Sequence, residues 1–244
     1  WNLFGLKPYN LHKEDVHNTL RAINELIDTF LLRRKIKKYC DRIITVSPLY
    51  KEKLGKIFPK KEISIVKPVS KNEIEQSPNL ETNNAIFVGA YRDHKGVDIL
   101  VKAWPKVREE IEDATLTIVG KGHKEYEQEG VQTEGYIENL EDAYENKSLY
   151  IHPARIDAFP LSTIEAMKAG YPTIVTNQTG TKSEAEKVSN DFVVEADAER
   201  IAREVINYFN STEEEKQEIS RKFRQSTENL NYNNSERAFR EAVL

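Results

Sequence analysis

Two carboxylates, Asp157 and Glu165, stand with seven residues between them in PARIDAFPLSTIEAMKAG, residues 153–170. Phe159, Pro160, Ser162 and Thr163 lie between them. Ile164, Met167 and Lys168 follow at helical spacing, and Gly170 is a natural stop. The pattern predicts a loop running into a helix N-terminus, with Ser162 or Thr163 as its cap and Ile164 and Met167 facing inward. The free N–H groups and dipole of such an end attract an anion. A carboxylate on either side can accept bonds from sugar or ribose hydroxyls. A plain capped helix joining two strands is the alternative reading of the same residues.

VGAYRDHKG (88–96) is the second stretch with chemistry in it. Arg92 and Lys95 follow an apolar run, where a strand's carboxyl end would present them to a diphosphate. Fixed cations there would stabilise the charge that builds on a leaving group. Solvated loop cations are the alternative. VGKGHKE (119–125) fails as a dinucleotide turn, because Glu125 stands where a third Gly or Ala is required. His12, His17, His94, His123 and His152 show no metal-ligand spacing, and most read as surface or strand-end residues. No metal site is expected, and there is no nucleophile elbow or P-loop.

These residues need a scaffold, and the apolar pattern supplies one. AIFVGA (85–90), TLTIVG (115–120), VQTEGYI (131–137), SLYIHP (148–153), PTIVT (172–176) and DFVVEA (191–196) read as strands. Between them, Val97, Leu100, Val101, Trp104, Val107 and Ile111 form one helical stripe. Residues 138–147, 161–169 and 197–210 read as further helices. Alternation of this kind predicts an α/β domain whose parallel sheet is covered on both faces and binds ligand at the strands' carboxyl ends. Upstream, residues 12–40 read as mostly helix, 42–47 as a strand, 47–58 as a helix and 62–70 as a strand. Residues 71–83 are polar and read as a linker, and about 212–244 as a helical tail.

The 244 residues suit one large domain or two small ones. No apolar run approaches the ~20 residues of a membrane helix, and WNLFGLKPYN has no signal-peptide form. The single cysteine, Cys40, excludes an internal disulfide, fits a reducing cytoplasm, and reads as a half-buried helix residue. The net charge of −4 divides unevenly: residues 1–72 carry +9 and residues 73–244 carry −13. The basic part, with RRKIKK at 33–38, suggests an anionic partner: a phosphorylated ligand, an anionic lipid or the acidic domain itself. A helix whose cations are simply solvated is the alternative. Nucleic acid is disfavoured, since no reader motif or interleaved aromatic accompanies the run.

The segment 153–170 resembles the acidic–seven–acidic signature of retaining family-4 glycosyltransferases of the GT-B fold. Three positions depart from that family's pattern: Asp157 replaces a Glu and is one methylene shorter, Pro160 replaces a Gly, and Ala90 stands where an Arg is usual. The resemblance implies a Rossmann-like parallel-sheet donor lobe at 84–228, a partial acceptor-side lobe at 1–72, a linker at 73–83 and a C-terminal crossover helix at 229–244. It implies transfer of a sugar from a nucleotide-sugar donor, a UDP- or GDP-sugar, with retention and without a required cofactor. Lys95, Arg92, Asp157 and Glu165 would be catalytic, with Lys95 and Arg92 on the diphosphate, Asp157 on the sugar hydroxyls and Glu165 on the ribose. Phe159, Leu161, Ser162 and Thr163 would bind the donor near its diphosphate, and Gly135, Tyr136 and Ile137 would lodge the base. The implied acceptor is a lipid-linked molecule, a glycan or a small molecule. The implied location is cytoplasmic, with peripheral contact of the basic segment on the inner membrane face.

A whole acceptor lobe needs roughly 150 residues, and about 70 precede the linker here. The chain therefore reads as a fragment or a shortened member. It is expected to bind donor but to transfer sugar poorly, which makes a nucleotide-sugar binding module the second hypothesis. A nucleotide-dependent oxidoreductase is disfavoured by the failed glycine motif.

Overall fold

A computed structural model describes residues 29–244. Residues 12–28 of the helix expected over 12–40, with His12 and His17, lie outside the described residues. The chain divides into two compact units, one reaching Val66 and including Ala238–Leu244, the other running from Lys67 to Arg237.

In the first unit a helix over residues 29–39 (α1) precedes β1 (Arg42–Thr45), α2 (Pro48–Ile57) and β2 (Glu62–Ile65). β1 and β2 pair in parallel, Ile43 beside Ile63. Ser47 caps α2 by accepting from Tyr50 N at 3.4 Å, and Pro48 takes the first turn, where a missing N–H is harmless. Leu54, Phe58 and Ile63 form the core here, with Ile36, Ile43 and Ile57 packed against them. Two expectations need correction. The strand expected over 62–70 stops at Ile65, just ahead of Pro68, which has no N–H to pair and restricts the residue before it. Cys40 lies just beyond α1 and is exposed, not half-buried.

The second unit holds β3 (Asn84–Val88), β4 (Thr115–Val119), β5 (Val131–Glu134), β6 (Leu149–His152), β7 (Thr173–Thr176) and β8 (Val193–Val194). Its helices are α3 (Val97–Glu110), α4 (Leu140–Tyr144), α5 (Leu161–Ala169), α6 (Lys182–Ala185), α7 (Ala198–Phe209) and α8 (Glu213–Thr227). α9 (Tyr232–Val243) ends in the first unit. The six strands run in the order β5-β4-β3-β6-β7-β8, all parallel. This is the doubly wound arrangement the apolar alternation predicts. β6 and β7 are buried along their whole length, so both faces are covered. α3 packs on α7, and α5 on α8.

The helical stripe of α3 is buried from Val97 through Trp104 to Val107. Pro105 sits inside that helix and cannot donate to the Val101 carbonyl; Gln128 Nε2 supplies the missing bond at 3.0 Å. Three elements are shorter or more divided than expected. β5 ends at Glu134, β8 has two residues, and the tail breaks after Thr227 so that its last helix begins at Tyr232. Residues 71–83 carry no helix or strand. They are nonetheless anchored, since Ile74 is buried in a core cluster with Tyr144, Tyr150 and Tyr171.

Glu204 on α7 makes this unit pH-sensitive. Burial, aided by the charge of Asp191, pushes its carboxyl up to about 7 against an opposing bond from Asn207. Between an unfolded value near 4.5 and 7 the folded chain binds the extra proton, so stability falls as pH rises through that window. Glu204→Gln is therefore expected to raise stability at pH 8 by on the order of 1 kcal/mol and to change little near pH 4. Denaturant melts at both pH values check this; parallel curves for parent and variant would contradict it.

Candidate active site

The strand order reverses between β3 and β6, and the crevice at their carboxyl ends is where such a sheet takes ligand. After β3 the chain passes Gly89–Tyr91, makes a short helical turn at Asp93–Lys95 and enters α3 through Gly96. After β6 it runs from Pro153 to Pro160 and enters α5. Arg155 N donates to His94 O at 2.8 Å, which ties the two loops together. Gly96 permits this approach. Its φ is +69°, and a Cβ there would sit 2.2 Å from the Pro153 carbonyl oxygen. Gly96→Ala is expected to destabilise by about 2 kcal/mol or more, from left-handed strain plus the clash with backbone. A thermal melt unchanged within a degree would show that the loops can part without loss.

The laced loops bring Lys95 and Asp157 into contact. Lys95 Nζ lies 2.5 Å from Asp157 Oδ2, and His152 Nε2 lies 3.0 Å from the same oxygen. Gly180 N donates to the Asp157 carbonyl at 2.8 Å, so the backbone is held as well. Burial would push the Asp157 carboxyl up, but the hydrogen bonds from His152 and Lys95 and the nearby positive charge outweigh it and hold it at about 2. His152 is completely buried, and burial pushes its basicity down despite Asp157. The group is thus an ionised carboxylate fed by a neutral imidazole and an ammonium.

The N-terminus of α5 follows at once. Pro160 is its N-cap residue, and no side chain among the described residues caps it. This corrects the expected role of Ser162 and Thr163. Ser162 Oγ accepts from Tyr150 Oη at 2.8 Å, and Thr163 Oγ1 donates back to Pro160 O at 2.7 Å. Neither hydroxyl accepts from a first-turn N–H among the described residues, and free N–H groups of this kind attract anions. Glu165, one turn on, is 5% exposed. Its Oε1 accepts from Ser70 Oγ and from Asn72 Nδ2 at 3.4 Å.

Lys95 and Asp157 thus meet at the end of the loop that leads into α5, and Glu165 lies one turn into that helix. Arg92 stays apart from the Lys95–Asp157 pair: it is exposed, and its Nη1 donates to Tyr91 O at 3.2 Å. Phe159 is buried and Leu161 exposed. Gly135, Tyr136 and Ile137 follow β5 as coil. Tyr136 is exposed under Lys121, whose Nζ is 5.3 Å from the ring centroid, while Ile137 packs into the core beside Val88 and Leu140. A pocket of about 210 Å³ opens next to them, lined by Gly120, Gly122, His123, Glu134 and Gly135. Among the described residues no three His, Cys, Asp or Glu side chains gather as a metal-ligand set.

Reading the sequence assigned His152 no role, although it is the strand-end residue that reading allowed. His123 is not at the surface, and both are buried. His123 Nε2 meets Gly89 O at 2.7 Å. The signal for His152 was its place as the last residue of a strand whose carboxyl end opens on the crevice. Ser70 and Asn72 carried no comparable signal.

The sequence profile of the family described as glycosyl transferases group 1 matches residues 82–211. An uncharacterized glycosyltransferase of Haemophilus influenzae is 29% identical over 184 residues, covering 67% of this chain and 51% of the relative. Mannosylfructose-phosphate synthase of Agrobacterium fabrum is 25% identical over 179 residues, covering 59% of this chain and 39% of that protein. The chain spans about half or less of the length of these relatives. Among solved structures, a mutant of S. aureus TarM in complex with fondaparinux, alpha-GlcNAc-glycerol and UDP superposes with a TM-score of 0.73 at 15% identity. That match covers 91% of this chain and 46% of TarM.

Proposed function

Because the chain belongs to the glycosyl transferases group 1 family, we propose that it serves transfer of a sugar from a nucleotide-sugar donor to an acceptor, with retention of configuration. The observation that carries this reading is the pairing of an ionised Asp157, pinned on one oxygen, with the uncapped end of α5. An ionised carboxylate accepts hydrogen bonds and does not donate them, so it suits the hydroxyls of a sugar. The N–H groups of Leu161, Ser162 and Thr163 suit a diphosphate, and Lys95 adds a cation beside it. Arg92, on the same loop, is a second cation for that diphosphate. Glu165 Oε1 is taken by Ser70 and Asn72, which leaves Oε2 for a ribose hydroxyl. The pocket beside Gly135 is of a size for a base edge.

In this reading the bond between the anomeric carbon and the β-phosphate oxygen breaks, and negative charge grows on the diphosphate. The acceptor oxygen bonds to the same face of the sugar, and its proton passes to the departing phosphate oxygen. Lys95 and the α5 terminus act on the growing charge, and Asp157 holds the ring while it forms. The solved relative TarM carries UDP in its complex, which makes a UDP-sugar the first donor to try. The reading is tested by titrating UDP, GDP and ADP and their sugar conjugates calorimetrically. Labelled-donor transfer to glycan, lipid-linked and small-molecule acceptors follows, with the product anomer read by NMR. Absence of heat with every nucleotide would end the proposal, and an inverted product would end its retaining part.

Peripheral contact with an anionic membrane belongs to the same proposal. α1 exposes Phe30, Leu31 and Leu32 next to Arg34, Lys35, Lys37 and Lys38, an apolar and a cationic signal together. The chain is expected to float with phosphatidylserine vesicles at low salt and to release at high salt. Failure to float at low salt removes this part. Among the described residues no helix is long and apolar enough to cross a membrane.

A further inference from the structure

We propose that His152 is a positioning residue: its Nε2–H decides which oxygen of Asp157 faces the donor sugar. The inference rests on the reading above and deepens it. Both contacts to the carboxylate converge on Oδ2, from Lys95 Nζ and from His152 Nε2. Among the described residues Oδ1 has no hydrogen-bond partner, and the Asp157 side chain keeps 13% exposure. One oxygen is thus tied down and the other is offered.

Lysine alone does not define that orientation. Its ammonium is a point charge on a flexible stem and can follow either oxygen. The imidazole cannot move in this way. Its ring stacks on Phe87 at 5.8 Å and 27° and on Tyr150 at 6.5 Å and 8°. Phe87 lies on β3 and Tyr150 on β6, the two strands that flank the switch point. The tautomer is equally defined. A carboxylate only accepts, so the proton sits on Nε2, and Nδ1 is buried without a partner among the described residues. A second proton there would be a buried, unpaired donor. A rigid neutral donor aimed at one oxygen is what orients the other toward a sugar hydroxyl.

The test compares parent, His152→Leu and His152→Gln, using UDP against UDP-glucose, or whichever nucleoside diphosphate and sugar conjugate the parent binds best. Gln places an amide N–H near the position of Nε2. His152→Leu is expected to bind the bare diphosphate like the parent and the sugar conjugate about tenfold or more weakly, with Gln recovering most of the loss. Equal losses on both ligands, or no loss on either, would overturn the inference. A second measurement needs no ligand and no folded His152 variant. Nitrogen NMR of the parent should find His152 as the Nε2–H tautomer, with its resonance displaced in Asp157→Ala. An Nδ1–H tautomer, or a ring indifferent to that substitution, would also overturn it. If the parent binds no nucleotide at all, the glycosyltransferase reading fails, while the NMR result still decides whether His152 holds Asp157.

Discussion

Lys95→Met is expected to lower sugar transfer by about 10²–10³-fold, the range found when one preorganised donor to a developing anion is removed. Two losses combine. In the proposed reaction the cation beside the departing diphosphate disappears, and Asp157 is left with His152 as its one donor among those the structure gives it. The side chain is 22% exposed, so the fold should survive with little change in melting temperature. Most of the loss should appear in kcat, because the charge being neutralised is greatest in the transition state. Lys95→Arg should recover part of it, since charge returns but the guanidinium geometry differs. Initial rates at saturating donor, on the protein that carries this chain, measure the effect. A kcat within threefold of the parent would remove Lys95 from the chemistry.

The largest effect on stability is expected at Glu184. Its side chain has no exposed surface, and it is held by Lys67 on one oxygen and Lys187 on the other. Lys187 also donates to Ser226 O at 2.9 Å, which ties the turn after α6 to α8. The two lysines are partly exposed, at 27% and 48%, and the carboxylate is not. Removing the acid frees cations that can turn toward water. Removing both cations strands a buried anion. The double variant Lys67→Met, Lys187→Met is therefore expected to lose about 3–5 kcal/mol at pH 8, and Glu184→Gln clearly less. Burial pushes the Glu184 carboxyl up, and bonds from both lysines bring it below its usual value. Without them burial alone remains, the carboxyl rises, and lowering the pH should restore part of the double variant's stability as the group becomes neutral. Denaturant melts at pH 5 and pH 8 decide. A double variant no weaker than Glu184→Gln would show that the buried charge finds compensation elsewhere.

Much of the donor-side fold is legible in the residues themselves. Apolar runs of four to six residues alternating with one-sided helical stripes already specify a parallel sheet with helices on both faces, and the six strands appear where those runs lie. The helix after Pro160 starts and stops at the expected residues, because Pro and Gly act within one turn of themselves. Boundaries were less legible where competing partners lie far along the chain. β5 was expected to run to Ile137, and β8 to fill six positions.

The site divides along the same line. Residue types and spacing along one segment determined the carboxylate pair and the helix end beside it, since these depend on neighbours within a turn or a loop. Only the tertiary structure decided what those groups touch. Lys95 and Asp157 lie 62 positions apart and meet because β3 and β6 are neighbours in the sheet. Glu165 receives Ser70 from 95 positions away. Ser162 and Thr163 look like caps in sequence, yet Tyr150 and the Pro160 carbonyl claim them first. His152 looks like any strand-end histidine until β3 stacks Phe87 on its ring and the following loop turns Asp157 back onto its Nε2. Hydrogen-bond partners are chosen by proximity in space, and strand order, which sets that proximity, is a property of the packed sheet and not of any one segment.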